Sequence, residues 1–145
     1  MDRAFSDVIR LCAQTRAIDP GTWINPDMQA AYYELHRLGY AHSVEVWNED
    51  RLVGGLYGVA LGQFFFGESM FSLQSNTSKI AFVFLCRQLQ RWNFQLIDCQ
   101  MPTEHLFSLG ATEMPRAQFQ TLLRSYTDKE PRVGRWSLEP DLPLP

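Results

Sequence analysis

Tyr40-Ala41-His42-Ser43-Val44-Glu45-Val46-Trp47, the turn Asn48-Glu49-Asp50, and Arg51-Leu52-Val53-Gly54-Gly55-Leu56-Tyr57-Gly58-Val59-Ala60-Leu61 decide the fold. Val44 and Val46 alternate with Ser43, Glu45 and Trp47, the period of a half-buried strand. The polar turn and the returning apolar run make this a β-hairpin. Gln63 to Phe66 reads as a further short strand. Glycines at 54, 55, 58 and 62 leave two readings open. They mark bulges and tight bends, or they bring backbone close to a ligand.

Helical signals flank the hairpin. Upstream, Phe5, Val8, Ile9 and Cys12 recur at helical spacing. Pro20-Gly21 is a turn signal. Asn25 suits an N-cap, Pro26 the first helical position and Asp27 the first turn of a second helix, which ends at Gly39. Downstream, Asn76-Thr77-Ser78 are capping residues for the strongest helix, Ser78 to Asn93, with Ile80, Phe82, Val83, Phe84, Leu85 and Leu89 on a broad apolar arc. Gln95 to Cys99 follows as a strand, Thr103 caps a short helix ending at Gly110, and Pro115 to Tyr126 is the last helix. The expected organisation is one domain over residues 1–145: a helical lead-in (1–39), a sheet-and-helix core (40–128) and an extended, proline-bearing tail (129–145). The class is α+β (mixed α/β), with a mostly antiparallel sheet flanked by helices.

Bulk properties narrow the function. The chain has 145 residues, 46% of them hydrophobic, enough for a real core, and a net charge of −3, which argues against non-specific coating of nucleic acid. Three cysteines, at 12, 86 and 99, form neither a disulfide framework nor a zinc motif, so a reducing, cytoplasmic compartment is expected. No signal peptide, membrane span or metal site is expected. His36, His42 and His105 are scattered.

Two segments carry polar groups among apolar ones. In Phe64-Phe65-Phe66-Gly67-Glu68-Ser69-Met70-Phe71-Ser72, the Glu68 carboxylate needs partners or water; it is a site group or an exposed loop residue. In Leu96-Ile97-Asp98-Cys99-Gln100, a strand would put Asp98 and Gln100 on one face; they form a site or cap the next turn.

These two segments, with Gly39 to Trp47, Leu52 to Ala60 and His105 to Ala111, resemble the leucyl/phenylalanyl-tRNA–protein transferases, in order and over nearly all of Phe5 to Phe119. The resemblance implies a GNAT-like acyltransferase fold, with no cofactor. It implies transfer of Leu or Phe from aminoacyl-tRNA to a protein beginning with Arg or Lys, the tagging step of the bacterial N-end rule. By resemblance, Gln100 assists the attacking amine, Asp98 holds and polarises Gln100, Glu68 binds the α-amine of the transferred amino acid, and Trp23 stacks on the terminal adenine. Candidate walls of the side-chain pocket are Leu56, Phe65, Met70, Leu89 and Ile97. The family also has an N-terminal domain with a tRNA-gripping basic cluster, expected to be absent here. That leaves two alternatives: a truncated member with weak or no activity, and an acetyl-CoA-dependent acyltransferase. The second expects a glycine-rich pyrophosphate loop, which Leu73-Gln74-Ser75-Asn76-Thr77 is not.

Overall fold

In the computed structural model, which describes residues 1–16 and 23–143, each amphipathic segment buries its apolar stripe against one sheet. Phe5, Val8, Ile9 and Cys12 lie on the inner face of helix α1 (Phe5–Arg16). Pro20-Gly21 lies outside the described residues. Helix α2 (Pro26–Arg37) starts where the Asn25 side chain accepts the Met28 N–H at 2.9 Å. It ends in a Schellman closure, Tyr40 N–H on the Leu35 carbonyl and Gly39 N–H on that of His36.

Strands β1 (Ala41–Asn48), β2 (Arg51–Leu61) and β3 (Phe64–Ser72) form an antiparallel meander. Helix α3 (Thr77–Arg91) then crosses the sheet and returns the chain to β4 (Leu96–Asp98), parallel to β3. The strand order is β1-β2-β3-β4. Two short helices follow, α4 (Glu104–Ser108), capped by Thr103, and α5 (Arg116–Thr127). The architecture is therefore α+β, a mixed four-stranded sheet flanked by helices, as expected. Among the described residues, no helix is long and apolar enough to cross a membrane.

The sheet separates two apolar clusters. On one face α1 and α2 pack with Tyr57 and Phe71. On the other, α3 packs through Ala81, Leu85 and Leu89 onto Val44, Leu56, Ala60 and Phe65. The glycines of β2 serve this packing. A Cβ at Gly54 would collide with Thr77 at the start of α3, and one at Gly58 with the Phe66 carbonyl and the Phe65 ring.

Three local expectations are corrected. β3 continues through Glu68 to Ser72, because β2 is long enough to pair with it throughout; Glu68 is a strand residue, not a loop residue. Asn76 precedes α3 with φ +65° and gives no side-chain cap; the Ser72 hydroxyl accepts the Ser78 N–H instead, at 3.0 Å. The tail carries no helix or strand, but it folds back onto the core. Trp136 is buried and stacks on His42 at 3.6 Å, and the Gln88 side chain accepts the Glu139 N–H at 2.8 Å.

Candidate functional site

β4 covers only the first part of β3. It pairs with Phe64 to Phe66 and stops, so among the described residues no strand pairs with β3 on that edge from Gly67 onward. The register of β2 and β3 also slips there: Tyr57 pairs with Ser69 and Gly58 with Gly67, leaving Glu68 unpaired. Glu68 is thus the extra residue of a β-bulge, a device that re-aims a side chain out of strand alternation.

The side chains around Glu68 are half-buried or buried. Burial and the neighbouring Glu68 carboxylate push the Tyr32 hydroxyl well above the ordinary tyrosine range. Ser69 is buried, and its hydroxyl accepts Arg16 Nε–H at 2.9 Å. Trp23, at the rim, meets Tyr32 edge-on at 6.4 Å between ring centroids.

Gln100 reaches the same place by another route. The expectation that Asp98 and Gln100 share a strand face is corrected, because β4 ends at Asp98 and Gln100 has φ +64°. Met101 N–H bonds the Cys99 carbonyl at 2.7 Å, closing a three-residue γ-turn of the rare positive-φ kind around Gln100. Asp98 Oδ1 accepts the Gln100 main-chain N–H at 2.8 Å. The Gln100 amide Nε2 donates to the Gly67 carbonyl, also at 2.8 Å. Asp98 therefore holds the turn, Gly67 holds the amide, and Gln100 Oε1 has no donor among the described residues. Strain of this sort is kept only where the surroundings impose it. Burial, then the Asp98 charge, push the Cys99 thiol up, so it stays protonated and is a poor nucleophile.

Between these two devices lies a cavity of roughly 360 Å³. Leu56, Phe65, Met70 and Ile97 line it, with Glu68, Gln100 and Trp23. Leu89 does not; it is buried in the core with Ala81, Leu85 and Trp136. Asp98 faces a neighbouring groove that shares Gln100 with the cavity. Sequence reasoning missed Phe82 and Leu85, which line the cavity from α3. Their spacing with Leu89 on one helical face was a legible signal, but which turn of that face overlooks the cavity depends on the helix crossing. Tyr57 and His105 were also missed, and no sequence signal separates them from core and surface residues.

The chemistry available is that of two poised polar groups over an apolar hollow, a carboxylate at one side and an amide oxygen at the other. The sequence profile described as leucyl/phenylalanyl-tRNA protein transferase matches residues 1–124. The chain belongs to this family. Curated relatives named leucyl/phenylalanyl-tRNA–protein transferase include that of Aromatoleum aromaticum, 59% identical over 138 residues, covering 95% of this chain and 58% of the relative. Those of Nitrosospira multiformis and Pseudomonas fluorescens are each 56% identical, covering 95% and 93% of this chain and 60% and 59% of the relatives. This chain thus spans less than two thirds of the length of these transferases. Among solved structures, AAC(6')-Iy in complex with a bisubstrate analogue is similar at a TM-score of 0.43 and 14% identity, covering 96% of this chain and 94% of that one.

Proposed function

We propose that residues 1–145 act as the catalytic domain of a transferase that moves Leu or Phe from the 3′ end of aminoacyl-tRNA to a protein beginning with Arg or Lys. The observation that carries this reading is the apolar cavity with Glu68 and Gln100 at its mouth, in a chain of this family. Leu56, Phe65, Met70, Phe82, Leu85 and Ile97 surround the transferred side chain. Burying such a side chain contributes roughly 1.5–3 kcal/mol, and the flexible Met70 thioether adapts to both Leu and Phe. Glu68 balances the α-ammonium of the same amino acid, and Trp23 stacks on the terminal adenine.

The reaction is aminolysis. The acceptor's free α-amine attacks the ester carbonyl carbon, the new C–N bond forms, and the ester C–O bond breaks. The amine's proton leaves for the departing ribose oxygen. Gln100 Oε1 accepts a hydrogen bond from the attacking amine, because Nε2 is already committed to Gly67. A neutral amide is a weak base, so its contribution is mainly orientation of the nucleophile. Asp98 supports it through the main chain, fixing the turn that presents the amide. The site suits the cytoplasm, where aminoacyl-tRNA is found.

A second reading follows from the length covered: the chain alone holds the chemistry, while the phosphate contacts lie in the part of the relatives it does not span. Incubating the chain with Phe-tRNA and a peptide beginning with Lys or Arg separates the two. The first reading expects transfer, lowered roughly a hundredfold or more in Gln100→Ala. Transfer that appears only when the remaining segment of a relative is supplied supports the second. Transfer untouched by Gln100→Ala would remove Gln100 from the mechanism.

A further inference from the structure

The cavity is lined from both faces of the sheet. Leu56 and Met70 pack on the α3 side, whereas Tyr57 and Phe71 pack on the side of α1 and α2. Ser69 is two residues from Phe71 on β3 and pairs with Tyr57, so it shares the α1 and α2 side. Leu56 and Met70 line the cavity from the first side, and Ser69, Arg16 and Trp23 from the second. A ligand that fills it has an apolar end toward α3 and meets a different chemistry at its other end.

Arg16 sets that chemistry. It stands in the last turn of α1 and is exposed. Its Nε–H donates to the Ser69 hydroxyl at 2.9 Å, and Ser69 is buried, so the root of the guanidinium is fixed. The rest of the fork makes no hydrogen bond or ion pair among the described residues, whereas the exposed Arg10, Arg37 and Arg91 each pair with a carboxylate. Glu68 lines the same cavity and does not pair with Arg16. Two opposite charges thus face one wall without joining. Burial, then Cys12, Tyr32 and Glu68, push the buried Tyr57 hydroxyl up, and Arg16 opposes them. A guanidinium fork with free N–H groups matches the paired oxygens of an anion, phosphate above all. Trp23, exposed at the rim, offers a stacking face beside it, the combination that takes a base and the phosphate joined to it.

We propose that Arg16 is a binding residue for the donor RNA, its guanidinium gripping the phosphodiester on the 5′ side of the terminal nucleoside whose base lies on Trp23. This rests on the reading of the cavity as the seat of an aminoacyl-nucleoside. Glu68 and Arg16 then take the two charges of one ligand, the α-ammonium and the phosphate, and Ser69 keeps the fork aimed. Such a contact positions the RNA end and carries no base preference.

The test uses the stable amide analogue of a phenylalanyl-adenosine ester and the same molecule carrying a methyl phosphodiester at its 5′ position. Both are titrated into the chain and into Arg16→Gln by calorimetry. The phosphate raises affinity for the parent chain, and the gain shrinks as salt rises from about 50 to 200 mM. In Arg16→Gln the gain falls roughly tenfold, the scale of a hydrogen bond to a charged group. The analogue without phosphate binds both chains equally, which also shows that the variant keeps its fold. No gain from the phosphate in the parent chain, an unchanged gain in Arg16→Gln, or an equal loss for both analogues overturns the proposal. If neither analogue binds the parent chain, the donor reading of the cavity falls, and the role of Arg16 with it.

Discussion

Two polar regions of this molecule are built on opposite terms. At one, Asp2 is buried and both its carboxylate oxygens are bonded: His42 Nδ1 and the Trp136 N–H meet Oδ2 at 2.8 and 2.7 Å, and the Ser43 N–H meets Oδ1 at 2.8 Å. Trp136 covers the His42 ring, so the clamp joins the first residues, β1 and the C-terminal tail. At the cavity, Gln100 sits in a strained turn and Glu68 is squeezed out of the ladder. The Asp2 carboxylate is saturated by partners from distant parts of the chain and so holds the fold, while His42 Nε2 stays buried without a partner among the described residues. At the cavity, Gln100 Oε1 has no donor among the described residues and Glu68 is turned out of strand alternation.

The largest test of the contrast removes the clamp. Asp2→Ala strands three buried donors at once, and the expected loss is about 3–5 kcal/mol in denaturant unfolding. Its pH dependence tests the charge. Burial alone would raise the Asp2 carboxyl, but the hydrogen bond and charge of His42, with the Trp136 and Ser43 N–H groups, outweigh it and hold it below its ordinary 3.8. Stability from a depressed carboxyl is complete above the unfolded value and is lost as pH falls through the folded one. The gap between parent and Asp2→Ala should therefore be flat from neutrality to about pH 5 and close on further acidification. A gap independent of pH in the acid range would mean that the clamp holds by packing alone.

Gly58→Ala strikes the other region through its scaffold. The added methyl meets the Phe66 carbonyl and the Phe65 ring opposite the bulge. Overpacking of this kind costs up to about 3 kcal/mol, so the unfolding midpoint should fall by roughly 10 °C. The register that presents Glu68 should suffer with it. A midpoint within a degree or two of the parent would show that the bulge is soft.

The smallest change in stability carries the sharpest sign. Gln100→Gly relieves the left-handed backbone at φ +64° and should stabilise the chain by about 1 kcal/mol. It also removes the amide, so transfer should drop roughly a hundredfold. A variant that loses both stability and transfer would place Gln100 with the structural groups, and the contrast between the two regions would fail there.

Much of this was legible in local pattern. The helix starting at Pro26, the hairpin of β1 and β2 and the long helix follow from periodicity and turn chemistry acting over a few residues. Leu56, Phe65, Met70 and Ile97 were readable as apolar positions on strands, and they do meet at one cavity. Leu89 shares their pattern, yet it points into the core, because the turn of α3 that overlooks the cavity is set by how the helix crosses the sheet. The extent of β3 was misread because Gly67-Glu68-Ser69 looks like a loop until β2 is found alongside it.

By itself, then, the sequence determined the order and type of the elements and the family to which the chain belongs, since both rest on residues close together in the chain. Tertiary structure alone decided how the polar groups are held. Glu68 turns by slipping against β2, Gln100 is fixed by a carbonyl 33 residues away, and Asp2 is satisfied by Trp136 at the far end of the chain. Each depends on partners distant in sequence, and a buried or strained polar group takes its energy from those partners rather than from its neighbours along the chain.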